Sequence, residues 1–171
     1  MASFFQGVIE NTAIFAPATE RTRAEYSEIY NEHCHRIFSL AFWMTDNEIA
    51  AEELAAHTFL RAFSSINAPT AEQIDHAFLT EVRELTAIGS LTLNSAIYPE
   101  LPSVRGNVKR IHLERAVVQL PATEKLVFLL HDVEGYGHER IGKLLGISSD
   151  ESKLGLHQAR LRIRELVARM Q

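Results

Sequence analysis

The sequence predicts an all-α protein built from two small helical domains joined by a linker, with a helix-turn-helix in the C-terminal domain. The first observation is that apolar residues recur every three or four positions through most of the chain, which is the period of amphipathic helices. The second is a reversal of charge within a chain of net charge −5. Residues 24–90 contain eleven acidic residues and three arginines, whereas residues 138–171 contain seven Lys or Arg and four acidic residues. Two halves of opposite sign suggest two kinds of partner, although solvated charged faces also explain such a pattern.

Length and composition favour a cytoplasmic protein with real hydrophobic cores. The 171 residues, 46% of them hydrophobic, suit one or two small globular domains. No apolar run approaches the roughly 20 residues of a membrane span, and residues 1–20 lack the basic start of a signal peptide. Cys34 is the single cysteine, which excludes an intramolecular disulfide and suits a reducing compartment.

The first predicted domain, residues 22–89, contains three helices and follows an N-terminal arm, residues 1–21, that has no clear period. A helix beginning near Thr22 is predicted to end at Thr45-Asp46-Asn47, which also caps the next helix. That second helix, residues 48–63, should point Leu54, Thr58, Phe59 and Ala62 inward and Glu52 and Glu53 outward. After a turn at residues 67–70, the third helix should bury Ile74, Phe78, Val82 and Leu85.

The second predicted domain, residues 107–171, follows a linker at residues 90–106 that contains Pro99 and Pro102. It should begin with a helix whose apolar residues are Val108, Ile111, Leu113, Ala116, Val117 and Leu120. The next helix starts at Pro121 and should end at Gly135-Tyr136-Gly137.

A helix-turn-helix is predicted at the end of the chain. A short helix carries Ile141, Leu144 and Leu145 on one face, and Gly146 suits the left-handed residue that ends a helix. A long helix, basic toward its end, then covers about residues 150–170. A glycine turn followed by a long basic helix favours insertion into a DNA major groove. A helical packing unit with a solvated basic face gives the same pattern.

Two segments together resemble the bacterial RNA polymerase sigma factors of the extracytoplasmic-function class. AAEELAAHTFLRAF, residues 50–63, is similar to the segment of that class that binds the core polymerase. LPATEKLVFLLHDVEGYGHERIGKLLGIS, residues 120–148, is similar to the region that binds the promoter −35 element. The order of the segments also fits, and the resemblance covers about residues 25–167.

This resemblance implies a transcription initiation factor without catalysis, cofactor or metal. Its partners would be core RNA polymerase, promoter DNA and an anti-sigma factor. Core polymerase would be bound, and the −10 region opened, by the first domain, with contacts at Glu52, Glu53, Phe59 and Arg61. The −35 element would be read by residues of the last helix: Ser149, Lys153, Leu154, His157, Arg160 and Arg164.

Several residues depart from the usual pattern of the class at positions expected to face DNA. Glu84 stands where an arginine is common, and Gly155 and Gln158 replace two arginines of the recognition helix. Ser152 replaces a usually buried valine, and Leu85 replaces an asparagine. These changes leave an alternative: a sigma-like regulator or interaction protein whose promoter reading has degraded.

Other candidate sites are weaker in the sequence. His33-Cys34-His35 has metal-ligand residue types, but adjacent helical residues lie about 100° apart and cannot converge on one ion. No glycine-rich phosphate loop, nucleophile elbow or pair of catalytic carboxylates is present, which argues against an enzyme. His131-Asp132 is interpreted as the exposed face of a helix.

Overall fold

The computed structural model describes residues 20–64, 68–92 and 108–170, and in these ranges the protein is helical without a β-strand. Within these ranges, seven α-helices follow one another: α1 Glu20–Thr45, α2 Glu48–Ala62, α3 Ala71–Leu85, α4 Arg110–Val118, α5 Ala122–Phe128, α6 His138–Leu145 and α7 Ser149–Arg169. Helix α5 continues directly into a π-helical turn, Leu129–Val133. The predicted all-α class is therefore confirmed. None of the helices in the described ranges has both the length and the apolar composition needed to cross a membrane.

The chain divides into two compact units, Met1–Val82 and Arg83–Gln171. The division falls in the last turn of α3, before the boundary predicted at residues 89–90. The predicted N-terminal arm, except the first residues of α1, and most of the predicted linker lie outside the described residues. The domain ranges inferred from the sequence remain predictions.

The core of the first unit is formed by the inward faces of α1, α2 and α3. Its most deeply buried large side chains are Ile37, Leu40, Phe59, Ile74, Phe78, Leu79 and Val82. Phe59 packs edge-on against Tyr30, with 4.9 Å between ring centroids. Burial of the Tyr30 hydroxyl, helped by the nearby Cys34, raises its pKa to about 12.

The predicted helix boundaries of the first unit are confirmed by their caps. Asp46 adopts a left-handed conformation with φ of 51°, and the Asn47 side chain accepts a hydrogen bond from the Ala50 N–H at 3.0 Å. Before α3, the Thr70 hydroxyl accepts from the Gln73 N–H, and the Gln73 side chain accepts in return from the Thr70 N–H. This reciprocal pair is a capping box, which satisfies backbone donors that a helix start leaves without partners.

The second unit contains the helix-turn-helix formed by α6 and α7. Gly146 ends α6 in the left-handed conformation, with φ of 75°, and both Gly146 and Ile147 donate their N–H groups to the Gly142 carbonyl. Ser148 then caps α7 through a capping box with Glu151. The predicted glycine turn is thus confirmed at Gly146, one of the positions where only a residue without Cβ avoids strain.

Some residues predicted to be buried are exposed. Leu85, in the last turn of α3, is 64% exposed. In the helix predicted from Val108 onward, only the C-terminal half is buried, through Ala116 and Val117, while Ile111 and Leu113 remain nearly half exposed. Helix α4 begins at Arg110, and its side chains become buried only in its last turn.

Residues 89–92, called here the docking segment, pack on the second unit. The Gly89 N–H donates to the Thr123 hydroxyl at 3.2 Å, and the Thr92 N–H donates to the fully buried Glu124 carboxylate at 2.6 Å. The Leu91 side chain lies against Gly155 of α7. The first residues of the predicted linker therefore belong to the folded part of the second unit.

Candidate nucleic-acid interface

Helix α7 has one buried face and one exposed face. Its buried residues are Ser152, Gly155, Leu156, Gln158, Ala159, Ile163, Leu166 and Val167. The capping box fixes where the helix starts, because the Ser148 hydroxyl accepts from the Glu151 N–H and the Glu151 carboxylate accepts from the Ser148 N–H. Donation from the Ser148 N–H and from its hydroxyl to this carboxylate lowers the pKa of Glu151. A fixed start sets which side chains face solvent along the whole helix.

The side chains predicted to contact DNA lie together on the exposed face. Five of them are exposed and follow one another at spacings of one to four residues: Lys153, Leu154, His157, Arg160 and Arg164. Ser149, the sixth, is half-buried in the first turn of α7. Residues three and four apart share a helix surface, so these side chains form one continuous stripe, called here the recognition stripe.

Two of the three cations in the recognition stripe are paired with carboxylates. Lys153 Nζ lies 2.8 Å from Asp150 Oδ1, and this contact raises the pKa of Lys153 and lowers that of Asp150. Arg160 donates from Nε and Nη2 to the two oxygens of Asp132, at 3.0 and 2.6 Å. These hydrogen bonds hold the pKa of Asp132 below its usual value.

The third cation, Arg164, differs from the other two. It makes no ion pair with any residue that the structure describes. Its neighbours Arg162 and Arg169 are both paired with Glu165. Arg164 is therefore the cation of the recognition stripe that is most available to a phosphate.

A histidine pair lies beside the recognition stripe. The rings of His131 and His138 stack at 4.5 Å between centroids, and His138 Nδ1 lies 3.0 Å from the hydroxyl of Ser152. The pKa of His138 is lowered, first by burial and then by the nearby cationic groups of His131, Lys153 and Arg160, against an opposing effect of Asp132. This contact also explains why a serine is accommodated at position 152, where it is fully buried.

The structure corrects the interpretation of Gly155 and Gln158 as lost DNA contacts. A Cβ atom on Gly155 would lie 2.8 Å from Leu91 Cδ2 and 3.7 Å from Val127 Cγ2, so this position faces the protein interior. Gln158 is only 7% exposed, and its Oε1 atom has no hydrogen-bond partner among the described residues. Both positions lie on the buried face of α7, and neither belongs to the recognition stripe.

The four residues predicted to bind polymerase occupy different environments in the first unit. Glu53 is exposed and Glu52 is half-buried on α2. The Arg61 side chain is 44% exposed and forms an ion pair with Glu81, whose other oxygen lies 3.8 Å from His57 Nδ1. Phe59 is only 1% exposed, since its ring packs in the core. Phe59 therefore supports the position of α2 and offers no surface to a partner.

Two exposed apolar side chains on α2 were missed in the sequence. Ile49 is 71% exposed and Leu60 is 39% exposed. Together with Glu53 and His57 they follow one another at spacings of four, four and three residues, which places them on one surface, called here the α2 surface. The helical period could have predicted this exposure, because Ile49 and Leu60 do not fall on the face of α2 that carries the inward residues Leu54 and Phe59.

Comparisons with known proteins give a family match in the C-terminal part of the chain and a relative that is similar along most of it. Residues 110–163, from α4 into α7, match the family model of sigma-70, region 4. The chain is 27% identical over 175 aligned positions to the ECF RNA polymerase sigma factor SigE of Mycolicibacterium smegmatis. That alignment covers 92% of this chain and 68% of the relative. Together, the region 4 match and the similarity along nearly the whole chain support a sigma factor of the extracytoplasmic-function type that acts in transcription initiation.

Proposed function

We propose that this protein binds core RNA polymerase through its first unit and directs it to promoters by reading the −35 element with α7. The first unit would also help to open the −10 region. The observation that carries the proposal is the recognition stripe, which a capped helix presents to solvent and which, except for Arg164, lies within the segment that matches sigma-70 region 4. Such a factor works in the cytoplasm without catalysis, cofactor or metal.

The order of residues along α7 suggests how the helix would contact DNA. The N-terminal residues of a recognition helix reach base edges in the major groove, which assigns base contacts to Ser149, Lys153 and Leu154. Arg164 lies fifteen residues after Ser149, about 22 Å along the helix axis. It is the cation of the recognition stripe farthest from the start of the helix, so Arg164 would contact a backbone phosphate. Phosphate contacts of this kind fix the register of the helix on the duplex.

The α2 surface is the part of the first unit best suited to bind the polymerase. Ile49 and Leu60 offer apolar area, and Glu53 between them adds a negative charge. A partner surface with apolar side chains around a basic group would match it. An anti-sigma factor that covered either the α2 surface or the recognition stripe would block initiation.

The function is tested by in vitro transcription with core polymerase and a promoter library, with and without this chain. We expect transcripts that depend on the chain and that share sequences in the −35 and −10 regions. Replacing Arg164 by alanine should reduce DNA affinity and lower the log-log salt slope by roughly one unit, because one phosphate contact is lost. Arg169→Ala is the matched control, since Arg169 lies off the recognition stripe and is paired with Glu165. The absence of chain-dependent transcripts would refute the proposal.

Polymerase binding is tested separately by the double substitution Ile49→Ser and Glu53→Lys. Both side chains are exposed, so the variant should fold, whereas its affinity for core polymerase should fall. Glu72→Lys makes the same charge change at an exposed position of α3 and should leave that affinity unchanged. Equal affinity of the folded double variant and the wild type would remove the α2 surface from the interface.

A second candidate is a sigma-like regulator that keeps a protein partner but reads promoters weakly. The pairing of Lys153 and Arg160 with carboxylates favours it, because it reduces the charge available to phosphates, and Glu84 adds an exposed carboxylate. The burial of Gly155 and Gln158 removes two arguments that the sequence offered for it. Binding to core polymerase without any sequence preference in the library would identify this second function.

A further inference from the structure

The ion pair between Arg160 and Asp132 has a geometry that leaves one edge of the arginine for another ligand. The guanidinium has five N–H donors, and Asp132 receives one from Nε and one from Nη2. The second Nη2 hydrogen and one Nη1 hydrogen lie outside this pair and point in parallel from another edge of the same plane. The Arg160 side chain is 53% exposed, and it belongs to the recognition stripe. Two bonds to one carboxylate fix the plane and direction of this group.

Asp132 is itself held in place from a different part of the second unit. It lies in the π-helical turn after α5, and its side chain is 23% exposed. His131 Nδ1 lies 2.8 Å from Asp132 Oδ1. An ionised carboxylate only accepts hydrogen bonds, so this nitrogen of His131 carries a proton. The ring of His131 stacks on His138, which contacts Ser152 of α7. A chain of contacts therefore leads from Arg160 of α7 through Asp132 and the two histidines back to Ser152 of the same helix.

A guanidinium held by a carboxylate suits a base edge better than a phosphate. The negative charge of Asp132 offsets the charge of Arg160 and repels a phosphate, which reduces the electrostatic gain from backbone contact. The outward N–H groups nevertheless remain parallel and fixed. Guanine presents two neighbouring acceptors, O6 and N7, in the major groove, whereas adenine presents one acceptor and one donor there. Two parallel donors match guanine only.

We propose that Asp132 is a positioning residue that sets Arg160 to read the edge of one guanine in the DNA site. This inference rests on the proposed function and extends it by naming the base and the residue that orients its reader. Asp132 does not touch the DNA in this arrangement. Its role is to fix the direction of the Arg160 donors before the helix enters the groove.

The test measures binding of the full chain with core polymerase to duplexes in which each position of the −35 region is varied. In Asp132→Ala, Asp132→Asn and Arg160→Lys, the preference for guanine at one position should fall by roughly 5- to 150-fold, the range expected for losing one bidentate base contact. Arg160→Lys keeps the positive charge but loses the two parallel N–H donors of the guanidinium. Asp132→Ala should also steepen the log-log salt slope by roughly one unit, because the released guanidinium becomes available to a phosphate.

Asp150→Asn is the matched control, because Asp150 also pairs with a cation of the recognition stripe, Lys153, but through a single contact within one turn. It should leave the guanine preference unchanged. If Asp132→Ala does not fold, Asp132→Asn and Arg160→Lys provide the same measurement with smaller changes of shape.

The possible results separate this inference from the proposed function. Unchanged sequence preference in all three variants, with or without a lower melting temperature, means that the pair only joins two elements, and it overturns the inference. Tighter binding of Asp132→Ala to all duplexes with an unchanged preference for guanine means that Asp132 only masks Arg160, which also overturns it. A wild-type chain without preference at any position refutes the proposed promoter reading and this inference together.

Discussion

Neighbouring side chains of α7 have opposite environments, although the sequence places both near the expected DNA-binding surface. Leu154 is 44% exposed on the recognition stripe, whereas Gly155 is buried against Leu91. A helical residue turns about 100° from its predecessor, so one step is enough to pass from solvent into the core. The role of a substituted position on this helix therefore depends on its face.

The first prediction compares arginines at these two adjacent positions. Gly155→Arg should lower the free energy of unfolding by about 1–3 kcal/mol, because the new side chain meets Leu91 in a packed site. Leu154→Arg should leave stability within about 0.5 kcal/mol and should strengthen DNA binding. Denaturant unfolding and a DNA titration measure both. A stable Gly155→Arg variant with tighter DNA binding would show that position 155 faces the groove.

The second prediction concerns the protonation of His138. Its pKa is lowered below the ordinary value of 6.5, so the unfolded chain takes up a proton at a higher pH than the folded protein. This contribution to stability is present above that ordinary value and is lost as the pH falls through the lowered pKa. The lowered pKa of Asp132 acts in the same direction at more acidic pH.

Thermal unfolding between pH 7.5 and pH 5 checks this sign. The wild-type melting temperature should fall with pH, and His138→Gln should reduce the dependence, since glutamine can still hydrogen-bond with Ser152 but does not titrate there. A variant with the same dependence as the wild type would show that another group causes it.

Among the secondary-structure elements, the docking segment stands out because it has no helical structure and yet is closely packed. Its Thr92 N–H and hydroxyl contact the carboxylate of Glu124, a residue of α5 with no exposed surface. Gly89 has φ of 104°, and a Cβ atom there would lie 3.0 Å from the Leu145 carbonyl oxygen. The segment therefore depends on a glycine at its start, a leucine over Gly155 and a threonine on a buried carboxylate.

The third prediction measures what this segment contributes. Leu91→Ala should destabilise the second unit by about 1–2 kcal/mol, because a half-buried leucine loses its packing against α7. Leu85→Ala is the matched control: Leu85 is 64% exposed, so its loss should change stability by no more than about 0.5 kcal/mol. Urea unfolding of both variants gives the comparison. Equal effects of the two substitutions would contradict the packing role of Leu91.

For the whole molecule, the division into two units predicts where the chain can be cut. A fragment comprising residues 83–171 contains the docking segment, whereas one starting at Val104, within the predicted linker, lacks it. The longer fragment should unfold cooperatively and at a higher denaturant concentration than the shorter one. In the longer fragment, Thr92 still donates to the buried Glu124 carboxylate and Leu91 still packs against Gly155. Fragments of equal stability would mean that the docking segment adds nothing to the second unit.

Local features of the sequence predicted the helices, most of their ends and the resemblance to a family. Apolar period, the capping residues Asn47, Thr70 and Ser148, and the left-handed Gly146 act within a few residues of chain, so their physical effect can be read locally. The two motif segments were also recognisable as local patterns. The shared face of Lys153, His157 and Arg160 followed from the same period, and all three side chains are exposed.

Local patterns could not predict which side chains are covered and which distant groups meet. Gly155 is covered by Leu91, 64 positions earlier, and Arg160 is held by Asp132, 28 positions earlier. The same holds for Phe59, whose burial against Tyr30 removes it from the surface, and for Ile49, whose exposure depends on where its neighbours pack. Periodicity gives the direction of a side chain from its helix axis, but the partner in that direction comes from the folding of the rest of the chain.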